Sequence, residues 1–275
     1  MSPAARPPEM LEGWFVMHCV TRLDRRSWRA LTASVRSDAL ASARVALDEL
    51  ATVDGGGWSA CIPLIGSASD VLTMHVRPSL AQLFTVQERL SREPLWDYLT
   101  PTFTFLSVAE AALYFLSAQL EDKTLARSGE IGDEIYRNEL VTRLAAEAAS
   151  PHMQRRLFPE LPRDLPYVSF YPMSRRRQAP HNWYTLPLGE RDRLMREHGL
   201  TGRRFSGRIR QVVTGSIGFE QWDWGVTLFA KDPLDLKHIV TEMRYELASA
   251  DYAEFGEFFV GRLCDPAEWL ATLER

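Results

Sequence analysis

The alternation of apolar and polar residues in the first part of the chain predicts the element order β-α-β-β-α-β. Runs with a period of two residues indicate strands, and helical spacing begins after residues that can cap a helix. The predicted elements are a strand over Trp14–Leu23, a helix from Asp24 to about Leu50, a hairpin over Trp58–Ile65 and Val71–Arg77, a helix capped by Ser79, and a strand over Thr102–Val108. This order is the split βαβ arrangement of a ferredoxin-like unit.

The same element order recurs in the second half of the chain. The predicted elements are a strand over Tyr167–Arg175, a helix over Leu188–His198 ended by Gly199, strands over Gly207–Gly215 and Trp224–Ala230, a helix opened by Asp232 and Pro233, and a strand over Tyr252–Leu263. No residue-by-residue repeat accompanies this order, so the repeat is architectural. The pattern predicts an α+β protein with two ferredoxin-like (βαββαβ) units.

An alanine-rich, helical stretch over 109–152 separates the two halves. Polar residues interrupt it, and we expect a mobile segment at 121–135. The predicted organisation is therefore an N-terminal unit over 11–110, a helical linker with a mobile loop over 111–160, and a C-terminal, ligand-binding unit over 161–275.

Composition narrows the class of partner. The 275 residues carry a formal charge of -4 and are 45% hydrophobic, which is ordinary for a globular protein. A net acidic chain argues against nucleic acid as the main partner, because a basic footprint is expected there. Arginines nevertheless cluster at 155–156 and 175–177, which favours a small anionic ligand.

Three widely separated cysteines form no metal-binding or disulfide pattern, which fits a reducing compartment. The proline-containing start, residues 1–10, lacks the apolar core of a signal peptide, and no apolar run reaches membrane-spanning length. We therefore expect a cytoplasmic protein with a short disordered leader.

The stretch from Tyr167 to Trp224 carries the candidate chemistry. His198 shares a predicted helix face with Leu194 and Met195, so it can point inward as an iron ligand. The alternative is a histidine that caps the helix C-terminus, and the spacing does not separate the two. Tyr171 lies at the end of a strand, just before a proline. It can be interpreted as a redox-active phenol or simply as an amphipathic residue at a strand end.

Three further polar positions have both a ligand-binding and a structural interpretation. Gln211 lies on the strand face opposite Val212, and a buried amide there needs a partner from a ligand or from a backbone carbonyl. Arg244 interrupts an apolar helix face, where a partly buried guanidinium needs a propionate or an internal carboxylate. The run 175–177 is by default a solvated loop.

Other motifs add little. The sequence contains no G-x-S-x-G, H-E-x-x-H or P-loop pattern. Of eight tryptophans, Trp183 and Trp224 are the two expected near a bound aromatic ring. Tyrosine, histidine, glutamine, methionine and arginine on three successive elements suit an anionic aromatic ligand that carries a metal.

Together these residues resemble the coproheme decarboxylase family, within the chlorite-dismutase-like group of dimeric α+β barrel proteins. The resemblance is strongest over about 155–262, and the N-terminal half agrees in element order. Its motifs are Tyr171-Pro-Met-Ser-Arg175, Asn182-Trp-Tyr184, Leu194-Met-Arg-Glu-His-Gly199, Gly215-Ser-Ile-Gly-Phe219, Trp224-Gly-Val-Thr-Leu-Phe229, Glu242-Met-Arg-Tyr245, Tyr252-Ala-Glu-Phe-Gly256 and Phe259-Val-Gly261.

The resemblance implies oxidative decarboxylation of iron-coproporphyrin III (coproheme) to heme b, with hydrogen peroxide as oxidant. His198 would be the proximal iron ligand, and Tyr171 would carry the radical that abstracts hydrogen from a propionate. Two propionates become vinyl groups through a three-propionate intermediate. The porphyrin iron supplies the oxidising power, while the protein positions the substrate.

The resemblance also implies roles for neighbouring residues. Arg156, Arg175 and Ser249 would hold propionates, and Arg244 would lie behind the residues that touch the ligand. The stretch from Tyr171 through Pro172, Met173 and Ser174 to Arg175 would form one continuous wall. Gln211 takes the distal position, where chlorite dismutases carry an arginine, which argues against chlorite chemistry.

Two departures from the family pattern bear on these assignments. Arg175 stands where family members often have lysine. The segment from Arg156 to Tyr171 is one residue longer than usual, so either Arg155 or Arg156 can hold the propionate.

The resemblance further implies a homo-oligomer, expected to be a pentamer, and transient exchange with ferrochelatase. The alternatives are a chlorite dismutase or heme peroxidase, and a heme-binding or heme-trafficking protein without turnover.

Overall fold

The computed structural model describes residues 5–53 and 55–274. Within them the chain contains strands and helices joined by short loops and two 3₁₀ turns. The strands are β1 (Met10–Leu23), β2 (Trp58–Pro63), β3 (Val71–Arg77), β4 (Leu99–Ala112), β5 (Tyr167–Arg175), β6 (Ile209–Gly215), β7 (Trp224–Ala230), β8 (Ala253–Phe255) and β9 (Phe259–Arg262). The helices are α1 (Arg25–Ala30), α2 (Ala33–Ala51), α3 (Leu80–Ser91), α4 (Tyr114–Ala126), α5 (Glu134–Ala148), α6 (Pro151–Leu157), α7 (Leu188–Arg203), α8 (Pro233–Arg244), α9 (Leu247–Ala250) and α10 (Pro266–Ala271).

All the described strands belong to one antiparallel sheet. Its order is β2-β3-β1-β4-β6-β7-β5-β8, and β9 pairs with β5 beside β8. Strands β1–β4 thus have the spatial order 2-3-1-4, and strands β5–β9 repeat it. Both halves are ferredoxin-like, which confirms the α+β fold with two such units.

The two units meet along two seams that bend the sheet into a barrel. At one seam β4 pairs with β6 through Val108–Gly215 and Ala109–Thr214. At the other seam, two bridges join β2 and the residue after it to β9 and a residue just beyond it. They are Cys61–Cys264 and Leu64–Gly261. The barrel interior is mostly apolar, with buried residues that include Val16, Ile62, Phe105, Val168, Phe170 and Phe229. His18 and Thr227 are polar residues buried among them.

Residues alternate between the barrel interior and the outer surface, where the helices pack. Over the N-terminal unit α2, α3 and the C-terminal helix α10 cover the sheet, and Trp28 Nε1 donates to the Leu273 carbonyl at 2.8 Å. Over the C-terminal unit α8 buries Leu236, Ile239 and Met243 against the outer faces of β5 and β7. This second outer surface is where the candidate site lies.

Several element ends differ from the sequence-based expectation by a few residues, as in β1 and β4, and three differences are larger in consequence. The single helix expected from Asp24 to Leu50 is two helices, because Leu31 is extended and Thr32 provides a second N-cap. Helix α7 continues past Gly199 to Arg203, since Gly199 keeps a helical backbone and cannot act as a left-handed C-cap.

The third difference is in the last strand, which is split into β8 and β9. They pair with opposite ends of β5, and the Gly256 N–H donates to the Pro172 carbonyl at 2.9 Å between them. This interruption places the Phe258 ring against Tyr171, with centroids 4.3 Å apart.

The start of the chain is held by the linker helices. Residues 1–4 of the predicted disordered leader lie outside the described residues. Arg6 is the first described residue with contacts to the rest of the protein: its guanidinium donates to the Tyr136 hydroxyl at 3.0 Å and pairs with Glu121 at 3.4 Å. Mobility at 121–135 stays a prediction. None of the helices in the described part of the chain has the length and apolarity needed to cross a bilayer.

Candidate functional site

A pocket opens between the outer sheet face of the C-terminal unit and the helices α7, α8 and α9. It brings together six of the residues predicted from the sequence, contributed by strands and helices of this unit. Its lining comprises Tyr171, Met173, Arg175, His198, Gln211, Val226, Val240, Met243, Ser249 and Phe255. Residues far apart in sequence, such as Tyr171 and His198, therefore face one space.

Tyr171 forms the inner end of the pocket. Tyr171 is 4% exposed and packs against the rings of Phe255 and Phe258, whose centroids are 5.9 Å and 4.3 Å away. Burial raises the pKa of the phenol above its ordinary value, although the nearby charge of Arg244 opposes that shift. The phenol is therefore held protonated, in a mostly apolar environment.

His198 reaches the pocket from the middle of α7, and a carboxylate fixes its ring. His198 Nδ1 lies 2.7 Å from Glu246 Oε2, in the short segment before α9. A carboxylate only accepts hydrogen bonds, so Nδ1 carries the proton and Nε2 remains for a metal. Metal-ligating histidines commonly have this carboxylate support. The helix-capping alternative for His198 does not hold, since α7 continues to Arg203.

Sequence reasoning missed Glu246, the partner of His198. It follows directly after the Glu242-Met-Arg-Tyr245 motif, and no local pattern marks it, because its role depends on packing between α7 and α9. Its second oxygen, Oε1, is buried and has no hydrogen-bond partner among the described residues. The site thus retains one unused acceptor next to the histidine.

Arg175 is a buried cation at the other end of the pocket. Its guanidinium stacks over the Trp183 ring at 4.3 Å, donates to the Ala248 carbonyl, and contacts Met195 Sδ at 3.2 Å. Within the described residues no carboxylate forms a salt bridge with it, and burial lowers its pKa. The charges of Asp223 and Glu246 act on it only from outside salt-bridge distance. A buried guanidinium without a direct salt bridge is costly, so this position favours an anionic group from a ligand.

The expected continuous wall from Tyr171 to Arg175 is wrong for two side chains. Strand alternation turns Pro172 and Ser174 to the other face of β5, so only Tyr171, Met173 and Arg175 face the pocket. Ser174 Oγ instead accepts from the Asp223 backbone N–H at 3.1 Å. A strand could supply a continuous wall only through its backbone.

Two other expectations concern burial. Val212, not Gln211, lies in the barrel core, so the amide of Gln211 is exposed and faces the pocket. A buried amide bound to a backbone carbonyl is thereby ruled out. Arg244 is also exposed rather than partly buried: its guanidinium lies 5.3 Å from the Phe255 ring centroid, next to the pocket and without an ion-pair partner among described residues.

The remaining predicted residues flank the pocket. Trp183 is buried behind Arg175. Trp224 is half-buried directly opposite Met173, and its Nε1 donates to Glu110 Oε1 at 2.8 Å. Arg156 reaches from α6 to the Glu110 carbonyl at 3.0 Å. Arg155, in contrast, bonds to the Pro151 carbonyl of its own helix, which favours Arg156 as the residue turned toward β4.

The chain is similar over its whole length to proteins of known class. A family model described as Chlorite dismutase matches residues 36–264. A protein named "Coproheme decarboxylase" from Staphylococcus carnosus (strain TM300) is 37% identical over 277 residues, covering 100% of both chains.

Solved structures agree. A heme-binding protein from Thermus thermophilus has a TM-score of 0.84 at 34% identity and covers 100% of both chains. A mutant chlorite dismutase from Candidatus Nitrospira defluvii has a TM-score of 0.71 at 15% identity, covering 96% of this chain and 97% of the other, and it shares the fold. The resemblance inferred from the motifs is confirmed at the level of the family: this chain belongs to the chlorite dismutase family.

Proposed function

We propose that this protein decarboxylates iron-coproporphyrin III to heme b, using hydrogen peroxide as the oxidant. The observation that carries the proposal is one pocket with three groups: a buried phenol, Tyr171, a carboxylate-oriented histidine, His198, and a buried guanidinium that forms no salt bridge among the described residues, Arg175. The substrate is suggested by the 37% identical relative named "Coproheme decarboxylase".

The residues present fit an iron porphyrin with propionate groups. His198 would bind the iron through Nε2, since Glu246 engages Nδ1. Arg175 would neutralise one propionate, Ser249 would donate its hydroxyl to another, and Arg156 would hold a further carboxylate at the β4 side. Gln211 faces the same pocket with an uncharged amide. When bound, the iron supplies the peroxide-dependent oxidising power.

Tyr171 is the residue that would act on the propionate. Because burial raises the pKa of its phenol, the side chain stays protonated and can transfer its hydrogen only together with an electron. An oxidised Tyr171 would then abstract a hydrogen atom from the propionate side chain. For each propionate the balance is propionate plus peroxide plus one proton, giving a vinyl group, carbon dioxide and two waters.

The proposal also includes a cellular setting. A cytoplasmic location, delivery of substrate by ferrochelatase and assembly into a homopentamer stay predictions from the family resemblance. The domain limits 11–110, 111–160 and 161–275 stay predictions as well, although α10 packs on the helices of the N-terminal unit.

The test is to load the purified protein with iron-coproporphyrin III, add peroxide in small steps and follow the porphyrin by mass spectrometry. We expect a three-propionate species and then heme b. Tight binding without conversion would indicate a carrier, and bleaching alone would indicate a peroxidase. Chlorite turnover would indicate a chlorite dismutase, which the uncharged Gln211 amide argues against.

A matched pair of variants tests the role of Tyr171. Tyr171→Phe should bind iron-coproporphyrin III but release no carbon dioxide, because it lacks the phenolic hydrogen. Tyr167→Phe is the control, since Tyr167 lies on the same face of β5 and packs on the same cluster without lining the pocket. Equal carbon dioxide release from Tyr171→Phe and the control would exclude the radical role.

A further inference from the structure

Glu110, near the end of strand β4, makes a contact with Trp224 that no motif in the sequence suggests. Trp224 Nε1 donates to Glu110 Oε1 at 2.8 Å, across the seam where β4 meets β6. That seam contains only the pairs Val108–Gly215 and Ala109–Thr214 among the described residues. The indole–carboxylate bond therefore adds a side-chain link between the two units.

The register places both residues on the sheet face that carries the pocket. Trp224 of β7 lies directly opposite Met173 of β5, which lines the pocket. On the other side of β7, Trp224 lies opposite Gly215 of β6. Gly215 is in turn opposite Val108, two residues before Glu110. Since side chains on one strand alternate with period two, Glu110 shares this face. The pocket face thus extends from Met173 through Trp224 to Glu110.

The space around the Glu110 carboxylate is kept open by a glycine. A Cβ atom on Gly215 would lie 2.1 Å from Glu110 Oε2, so any side chain at residue 215 would displace the carboxylate. The carboxylate lies over the Gly215 backbone because residue 215 has no side chain. Burial raises the pKa of Glu110, with Glu12 on the neighbouring strand adding to the shift. A carboxyl group held this way serves a structural purpose that a solvated glutamate would not.

We infer that Glu110 is a positioning residue for the porphyrin site: it fixes the indole of Trp224 as the wall for the porphyrin edge next to Met173. This inference rests on the proposed function. The Glu110 carboxylate bonds to the indole, and its charge also acts on Arg156. The inference assigns its effect on the ligand to the contact with Trp224, which the double variant below separates from any effect through Arg156. An indole without its acceptor would lose its hydrogen bond to a charged group and would be free to rotate away from the sheet.

The experiment begins without any ligand. The protein is labelled with 5-fluorotryptophan, and Trp224→Phe identifies the fluorine resonance of residue 224 among the eight tryptophans. Glu110→Ala removes the acceptor, and Glu110→Gln keeps one without the charge. Glu12→Gln is the matched control, because Glu12 lies opposite Glu110 in register and is exposed. Each variant is then titrated with ferric coproporphyrin III by absorbance.

We expect Glu110→Ala to shift the Trp224 resonance and to weaken porphyrin binding about tenfold, the size of one lost hydrogen bond to a charged group. Glu110→Gln should stay within about twofold of wild type, since an amide oxygen still accepts the bond. Glu12→Gln should do the same, since it leaves the bond between Glu110 and Trp224 in place. Paramagnetic broadening by the bound ferric porphyrin should affect residue 224 in wild type. In a Trp224→Phe background, Glu110→Ala should cause no further loss of affinity.

Three results would overturn the inference while leaving the proposed function intact. The first is a Trp224 resonance that does not shift in Glu110→Ala. The second is an equal loss of porphyrin affinity from Glu110→Ala in the wild-type and the Trp224→Phe backgrounds. The third is unchanged porphyrin affinity in Trp224→Phe, which can be measured even if Glu110→Ala does not fold. Failure of the wild-type protein to bind the porphyrin would refute the proposed function, and this inference with it.

Discussion

Two histidines inside the fold should make the stability of the protein strongly dependent on pH. His18 is completely buried, stacked on Phe170 at 3.9 Å, with Nε2 2.9 Å from Thr227 Oγ1. His75 is buried within β3, and its Nδ1 is 2.8 Å from Ser59 Oγ. Each ring has a second nitrogen without a partner among the described residues. Neither site offers an acceptor for an additional proton.

Burial lowers the pKa of both histidines to about 3. The neighbouring charge of His75 lowers the pKa of His18 further, and the charge of Arg77 lowers the pKa of His75 further. The unfolded chain titrates near 6.5, so between these values the unfolded state binds more protons and acid lowers the free energy of unfolding. At pH 5 the loss relative to pH 8 is about 2 kcal/mol per histidine and about 4 kcal/mol for both. That is a large part of the 5–15 kcal/mol typical of a folded protein.

The assay is urea unfolding at pH values from 8 to 4.5, followed by circular dichroism. We expect the free energy of unfolding to fall by about 2.7 kcal/mol per pH unit below pH 6, the slope of two titrating groups. His18→Gln should reduce the slope by about half, because glutamine has similar size and does not titrate. His238→Gln, which removes an exposed histidine, is the control and should leave the slope unchanged. An unchanged slope in His18→Gln would refute the reasoning.

Three other predictions concern the site. Glu246→Gln should weaken iron-porphyrin affinity about 10- to 100-fold and shift the iron–histidine stretching band in resonance Raman spectra, because the support of His198 loses its charge; an unshifted band would count against it. Gly215→Ala should lower the free energy of unfolding by about 1–3 kcal/mol in denaturant titrations, since its Cβ meets the Glu110 carboxylate at 2.1 Å; wild-type stability would contradict this. Arg175→Met should leave the ligand-free protein at least as stable while coproporphyrin affinity falls, because it removes a buried unpaired cation; parallel losses in both measurements would disprove it.

The element order could be predicted because each element carries its own signal. Asp24, Ser79 and Asp232 each cap a helix as expected, with side-chain oxygens that accept from backbone N–H groups of the first turn. Boundaries were less predictable where two local signals compete. Thr32 is a second capping residue inside an apparently continuous apolar pattern. Gly199 resembles a stop signal, yet α7 continues to Arg203 because packing on α8 outweighs the local cost of glycine.

The site was predicted at the level of its motif residues and not of its contacts. His198 and Tyr171 were identifiable from spacing and family pattern, and the structure brings them to one pocket. Glu246 and Glu110 were not, because their roles arise from pairing between segments distant in sequence. The alternation that turns Ser174 away from the pocket is visible in the sequence of this strand. A continuous wall of consecutive side chains is incompatible with it.

The position of helix α10 has a consequence for dividing the chain into parts. Trp269, Leu270 and Leu273 fill the outer core of the N-terminal unit, and Trp28 binds the Leu273 carbonyl. A fragment that ends in the linker would therefore expose the apolar surface that α10 covers, in addition to its half of the barrel core. Separate expression of the two halves should give an insoluble N-terminal fragment that recovers solubility when the C-terminal fragment is supplied in trans. In this protein a helix that follows the C-terminal unit completes the core of the N-terminal unit.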